Sequence, residues 1–141
     1  MSALVYLLDT DIVIYSVRGQ HPAIARRIAR LEPAAYAISV VTRAELLFGV
    51  HRTPPAHPSQ LRVRQFLGEV VTLDWGKEAA DIYSWFRHQL QVKGELIDHL
   101  DLMIAAHAAS LGAILVTNNT RHFGRFAPLL TIENWVEGHP Q

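Results

Sequence analysis

Short apolar runs alternate along this chain with stretches whose apolar residues recur at helical spacing. The clearest run is the first: Ala3 to Leu8 is unbroken and ends directly in Asp9-Thr10-Asp11. A continuous apolar run of this length reads as a strand buried on both faces, placed here at Leu4–Leu8. Similar short runs predict strands at Tyr36–Ser39, Val70–Leu73, Ala113–Val116 and near Leu129–Ile132. Helical spacing and breakers predict a short helix from the end of the first strand to about Val17. Further helices are expected at Pro22–Leu31, Val40 to about His51, Ser59–Gly68, Gly76–Val92 (ended near Gly94) and Asp98–Leu111, with Gly112 as C-cap. The loop Arg52 to Pro58 carries Pro54, Pro55 and Pro58. Strands alternating with helices imply βαβ units: an α/β protein with a parallel sheet and helices on both faces.

A length of 141 residues suits a single domain with a proper core, and half the residues are hydrophobic, which argues against disorder. There is no cysteine, so disulfides and thiolate metal sites are excluded. No apolar stretch reaches the length of a membrane span, and no signal-peptide pattern opens the chain; a cytoplasmic protein is expected, without a membrane partner. Formal net charge is zero, so any basic surface must be local. The cations are 11 Arg and two Lys. Arg suits bidentate phosphate recognition, although a codon bias towards Arg explains the ratio equally well.

Two carboxylates just past the end of a buried strand are costly, because like charges repel and apolar surroundings disfavour ionisation. They also stand where open α/β sheets place their ligands. Asp9 directly ends the strand and is the favoured one; either Asp9 or Asp11 could instead cap the following helix. On the Val40–His51 helix, Val40, Val41, Ala44, Leu47 and Phe48 share one face, and Glu45 falls at its margin. An acid there can reach inwards to a cation or outwards to solvent. Ser39 and Thr42 lie at the start of that helix, where their hydroxyls either cap it or support a site. Asp101 shares a small apolar helical face with Ile104, Ala105 and Ala108 and is poorly hydrated unless paired or metal-bound. The alternative is a capping box with Asp98 as N-cap. In Leu115-Val116-Thr117-Asn118-Asn119 a strand again ends in polar groups, which could position water or phosphate or simply form a turn.

Asp9, Glu45 and Asp101 are hard oxygen donors from separate segments. Without Cys and without a paired-His motif, such a set suits Mg²⁺ or Mn²⁺, and phosphodiester hydrolysis is the natural reaction class. The eight His residues are read as surface or core. Arg43, Arg121 and Arg125 are candidates for RNA contact only through their nearness in sequence to the acids.

The chain as a whole resembles the PIN-domain nucleases, specifically the VapC-type toxins of bacterial toxin–antitoxin pairs. The likeness runs through Leu7-Leu8-Asp9-Thr10-Asp11-Ile12, Ile38 to Leu46, Asp101 to Ala108, Leu115 to Phe123 and Ile132-Glu133-Asn134-Trp135, in that order over nearly the full length. It implies a three-layer α/β/α fold and Mg²⁺- or Mn²⁺-dependent endoribonuclease activity, with tRNA or another structured RNA as substrate. It implies catalytic and metal-binding roles for Asp9, Glu45 and Asp101, and supporting roles for Ser39, Thr42 and Thr117. Many relatives carry a fourth acid where Asn119 stands, which puts a second metal in doubt. Asp98 stands where relatives often have Gly. The resemblance also implies a homodimer and a cognate VapB-like antitoxin. Leu46 and Val50, and the segment Ile82, Tyr83, Trp85, Phe86, are candidate partner surface or extra core.

Three rival readings are set against this one. A haloacid-dehalogenase-type phosphatase fits Asp9-x-Asp11 but needs a Lys after Thr117, and none follows. A phosphoacceptor receiver domain, with Asp74 as acceptor, lacks the same late Lys. A PIN fold that holds RNA without cutting it is a non-catalytic alternative.

Overall fold

A computed structural model describes residues 3–95 and 97–136. Five short strands form one sheet: β1 (Tyr6–Leu8), β2 (Tyr36–Ser39), β3 (Val71–Leu73), β4 (Ile114–Val116) and β5 (Thr131–Glu133). Their order is β3-β2-β1-β4-β5, and every pairing is parallel. Helices α1 (Thr10–Val17), α2 (Pro22–Ala29), α3 (Val40–Arg52) and α4 (Pro58–Glu69) cover one face. Helices α5 (Lys77–Val92), α6 (His99–Leu111) and α7 (Thr120–Phe123) cover the other. This is the expected three-layer α/β/α arrangement.

The central strands dictate the layers. Successive side chains alternate across a sheet. Leu7, Ala37 and Leu115 therefore enter the core beneath α5 and α6, while Leu8, Ile38 and Val116 enter the one beneath α1 to α4. α6 packs on the sheet through Ile104, Ala105 and Ala108, all fully buried, because residues that small let a helix approach closely. Gly112 ends α6 at φ +64°, a conformation that glycine adopts without a Cβ penalty.

The direction of winding positions the site. From β1 the chain builds outwards through β2 to β3, then returns to the other side of β1 for β4 and β5. The reversal lies between β1 and β4, and ligands of open α/β sheets bind outside the carboxyl ends of the strands at such a point. Asp9 follows β1 and Thr117 follows β4, so both stand at this crevice.

The inward face of α3 differs from the one its apolar pattern predicts. Leu46 and Val50 are core residues, 4% exposed, whereas Phe48 is 60% exposed and Ala44 lies at the surface. Apolar residues stand on both sides of this helix, so hydrophobicity alone does not choose between them. Packing onto α4 and the sheet selects Val41, Leu46 and Val50, and Thr42 is buried beside them. Phe48 stays at the surface beneath the Arg52 guanidinium, 4.8 Å from its ring centroid. Of Ile82, Tyr83, Trp85 and Phe86 on α5, Phe86 is fully buried, Ile82 and Tyr83 pack on the core, and Trp85 is exposed, at 51%. The short helix α7 has no counterpart in the sequence pattern, since a single turn is too short to show a period.

Candidate active site

Asp9 is 4% exposed and its two oxygens are held separately. Oδ1 accepts the Thr10 N–H at 2.8 Å, so the residue does cap α1. Oδ2 accepts the Thr117 hydroxyl at 2.7 Å, across the β1–β4 crevice. The Thr117 oxygen in turn accepts the Asn119 N–H at 2.9 Å. Capping and site support are thus the same contacts. The Asn119 side chain turns away, to within 3.3 Å of His122 Nδ1.

Asp11 joins this cluster. Its Oδ2 accepts the Asn118 N–H at 3.1 Å, and its Oδ1 is buried without a hydrogen-bond partner. Thr10, between the two acids, points to α3: its hydroxyl donates to Glu45 Oε1 at 2.7 Å and lies 3.0 Å from the Thr42 hydroxyl. Thr42 and Glu45 are thereby fixed relative to β1. Asp98 caps α6, accepting the Leu100 and Asp101 N–H groups at 3.0 and 3.3 Å. Asp101 stands one turn into that helix and is partly buried.

The electrostatics show which acids share one cleft. Burial first, then the charge of Asp11, pushes the Asp9 carboxyl up to about 7. Burial first, then the charges of Asp9, Asp98 and Glu45, pushes Asp101 up to about 7 as well. Burial and the charge of Asp101 raise Asp11. Three segments therefore bring Asp9, Asp11, Glu45 and Asp98 within electrostatic reach of Asp101. The ion pairs among the described residues, Arg27–Glu133 and Arg125–Glu95, involve none of them. An acidic cluster with no compensating cation is the complement of a bound cation.

Ser39 has another role. Its hydroxyl oxygen caps α3, accepting the Val41 N–H at 3.1 Å, and lies 2.8 Å from Nδ1 of His107. His107 is 2% exposed, its pKa is lowered by burial, and its ring also bonds the Asp74 carbonyl. A neutral imidazole that accepts from Ser39 and donates to Asp74 satisfies all these groups. It locks α6 to the ends of β2 and β3. Of the three Arg candidates, Arg43 reaches the Leu67 carbonyl of α4 at 3.5 Å and Arg125 pairs with Glu95 at 3.0 Å. Arg121 is exposed on α7.

Beside Glu45 and Thr10 opens a groove of about 1010 Å³ between α1, α3 and α4, with Ile14, Val40, Phe48 and Met103 in its walls. The sequence pattern alone leaves Asp11 undecided and does not single out Thr10. The Asp-Thr-Asp spacing is the available signal, because the residue between two site acids at a helix start must face the neighbouring element.

A PIN-domain family model matches residues 6–128. The chain is 36% identical over 133 residues to a ribonuclease VapC of Haemophilus influenzae, covering 94% of this chain and 99% of that one. The chain belongs to the VapC ribonuclease family. It is also 35% identical over 132 residues to the tRNA(fMet)-specific endonuclease VapC of Shigella flexneri, covering 94% and 98% of the two chains. Among solved structures, the DNA-bound VapBC of Salmonella typhimurium superposes with a TM-score of 0.85 at 32% identity, covering 94% of this chain and 98% of that one. In this VapC-family chain the five-stranded parallel sheet is the fold the resemblance implied.

The donor set, carboxylates and hydroxyls alone, suits a hard divalent cation, and the partnerless buried oxygen of Asp11 marks unmet demand for one. No three His, Asp or Glu side chains among the described residues already close on one point. The cleft is a set of donors held near one another, not a finished cage.

Proposed function

We propose that this protein is a VapC-type endoribonuclease toxin that hydrolyses RNA phosphodiester bonds and depends on Mg²⁺ or Mn²⁺. The observation that carries this reading is the group of uncompensated carboxylates at the β1–β4 crevice, two of them pushed up to about 7. Asp9, Asp101 and Glu45 would hold the cation. When bound, a divalent ion lowers the pKa of water and offsets the charge that develops on phosphorus.

The chain's own residues prepare the cleft. Thr117 and the Thr10 N–H fix Asp9, so that its lone pairs are pre-oriented at little entropic cost. The Thr10 hydroxyl does the same for Glu45. Asp98 caps α6 and so fixes the backbone of the first turn, on which Asp101 stands. Ser39, through its cap and His107, holds α3 and α6 in register behind the site. The Asn119 N–H supports Thr117. The Shigella relative named for tRNA(fMet) makes tRNA the first substrate to test. The solved VapBC complex makes a VapB-like antitoxin the expected partner, and a homodimer is proposed with it. The apolar groove with exposed Phe48 beside Glu45 offers such a partner a surface next to the acids. No helix among the described residues is long and apolar enough to cross a membrane.

The test is cleavage of purified tRNA. Products are expected with Mg²⁺ or Mn²⁺, and none in excess EDTA or with Asp101→Ala at equal folded protein. Cleavage that persists in EDTA overturns metal dependence. Equal RNA retention by wild type and Asp9→Asn, with no cutting by either, leaves a binding module instead.

A further inference from the structure

Arg43, Arg121 and Arg125 do not form a tract for RNA, since Arg43 and Arg125 are already engaged within the protein. A different basic surface is open. Between Asp11 and Glu32 the chain carries no carboxylate, but it carries Arg18, Arg26, Arg27 and Arg30. The last three lie on or just after α2 and line a cleft of about 510 Å³ with Tyr6 and Trp135. Arg26 and Arg30 are four residues apart, on one side of the helix, and both are exposed. Neither takes part in the ion pairs found among the described residues. Arg27 anchors the cleft floor: it bonds Glu133 at 3.2 Å and lies over the Trp135 ring, 4.5 Å from its centroid. In a protein of zero net charge, such a concentration of guanidinium groups is a local anion surface.

The cleft is connected to the acids. Glu133, neutralised by Arg27, is the last residue of β5, and its carbonyl accepts the Thr117 N–H at 2.9 Å. Thr117 holds Asp9. β5 is two strand spacings from β1, about 10 Å. The surface between them is uncharged and polar: the Asn134 amide donates to Asn118 Oδ1 at 3.0 Å, and the Asn118 backbone holds Asp11. Side-chain amides and guanidinium groups both donate to phosphate oxygens.

We infer that the exposed Arg26 and Arg30 of α2 form a phosphate-binding tract. It holds the RNA backbone one or a few nucleotides from the bond at the acidic cleft, led there over Asn118 and Asn134. The inference rests on the nuclease reading for its substrate, but binding tests it separately. The tract touches phosphates and not bases, so it raises affinity without setting the sequence that is cut.

The experiment measures tRNA binding in EDTA across a salt series, and steady-state cleavage in Mg²⁺, for wild type and for Arg26→Ala/Arg30→Ala. Arg62→Ala/Arg64→Ala, exposed on α4, is the control for loss of surface charge. Losing two phosphate contacts should flatten the slope of log K against log salt by about 1.4 and raise KM roughly tenfold near physiological salt. kcat should stay within about twofold, because the acids are untouched. An unchanged slope and KM, an equal effect of the α4 control, or no RNA binding by wild type even at low salt overturns the tract. Tract-dependent binding with no cleavage in any metal overturns the nuclease reading and leaves the tract standing.

Discussion

Replacing Asp9 by Asn should stabilise the metal-free protein at pH 8 and abolish its activity. The carboxyl stands at about 7 in the fold against 3.8 for the free side chain. A tenfold change in proton affinity corresponds to ~1.4 kcal/mol, so the ionised form costs the fold about 4 kcal/mol at pH 8. The Asn amide has one acceptor where the carboxylate has two. Either the Thr10 N–H or the Thr117 hydroxyl therefore loses its acceptor, at roughly 1–2 kcal/mol. The net gain is about 2–3 kcal/mol, or roughly 5–10 °C in Tm for a domain of this size. The sign follows from proton binding. With its pKa raised, the folded state keeps a proton that the unfolded chain releases, so the cost is absent below pH 4. It grows as pH rises and is fully present only above about 7. At pH 5 it has fallen to about 1.7 kcal/mol, which the lost hydrogen bond cancels. Thermal unfolding in EDTA at pH 8 and pH 5 measures the difference directly. With excess Mg²⁺ at pH 8 the order should reverse, because only wild type gains a ligand-linked increment. A variant that melts below wild type in EDTA at pH 8, and by the same margin at pH 5, would refute the argument that burial and Asp11 destabilise this charge.

Thr117→Val removes the hydroxyl that donates to Asp9 and accepts from Asn119. Stability should fall by roughly 1–3 kcal/mol, and the acid limb of the pH–rate profile should move to higher pH, since a donor that favours the ionised form is gone. Leu46→Ala should cost roughly 2–5 kcal/mol in denaturant unfolding, whereas Phe48→Ala should cost less than about 1; equal effects would restore the inward face that the apolar pattern predicts. His107→Leu leaves the Asp74 carbonyl buried without its donor and takes the acceptor from Ser39, so roughly 2–4 kcal/mol should be lost in the same assay.

The parts of the fold legible in the sequence are those where one signal dominates. Tyr36–Ser39 matches at both ends, because four residues between Pro33-Ala34-Ala35 and a helix start leave no other register. α6 is bounded by Asp98 and Gly112, whose cap chemistry is specific. The other strands are one or two residues shorter or displaced, since an apolar run extends into loops that pack on the core, as Leu130 does. The face of α3 is not legible. Its apolar residues surround the helix, and the choice is made by packing onto α4 and the sheet, which no local pattern contains. His107 reads from sequence as an ordinary surface or core histidine. It is a core histidine, and its link between Ser39 and Asp74 depends on contacts that arise only when β2, β3 and α6 meet.

The bond between Asp9 and Thr117 joins residues 108 positions apart. Proteins are made from the N-terminus at roughly 5–20 residues per second, and early segments organise first. A growing chain therefore displays its first acids well before β4 exists to complete the pocket. The hydroxyl that holds Asp9 can arrive only once β4 has been made. A chain cut short before that point lacks the partner of Asp9, so the winding of the sheet itself delays completion of the cleft.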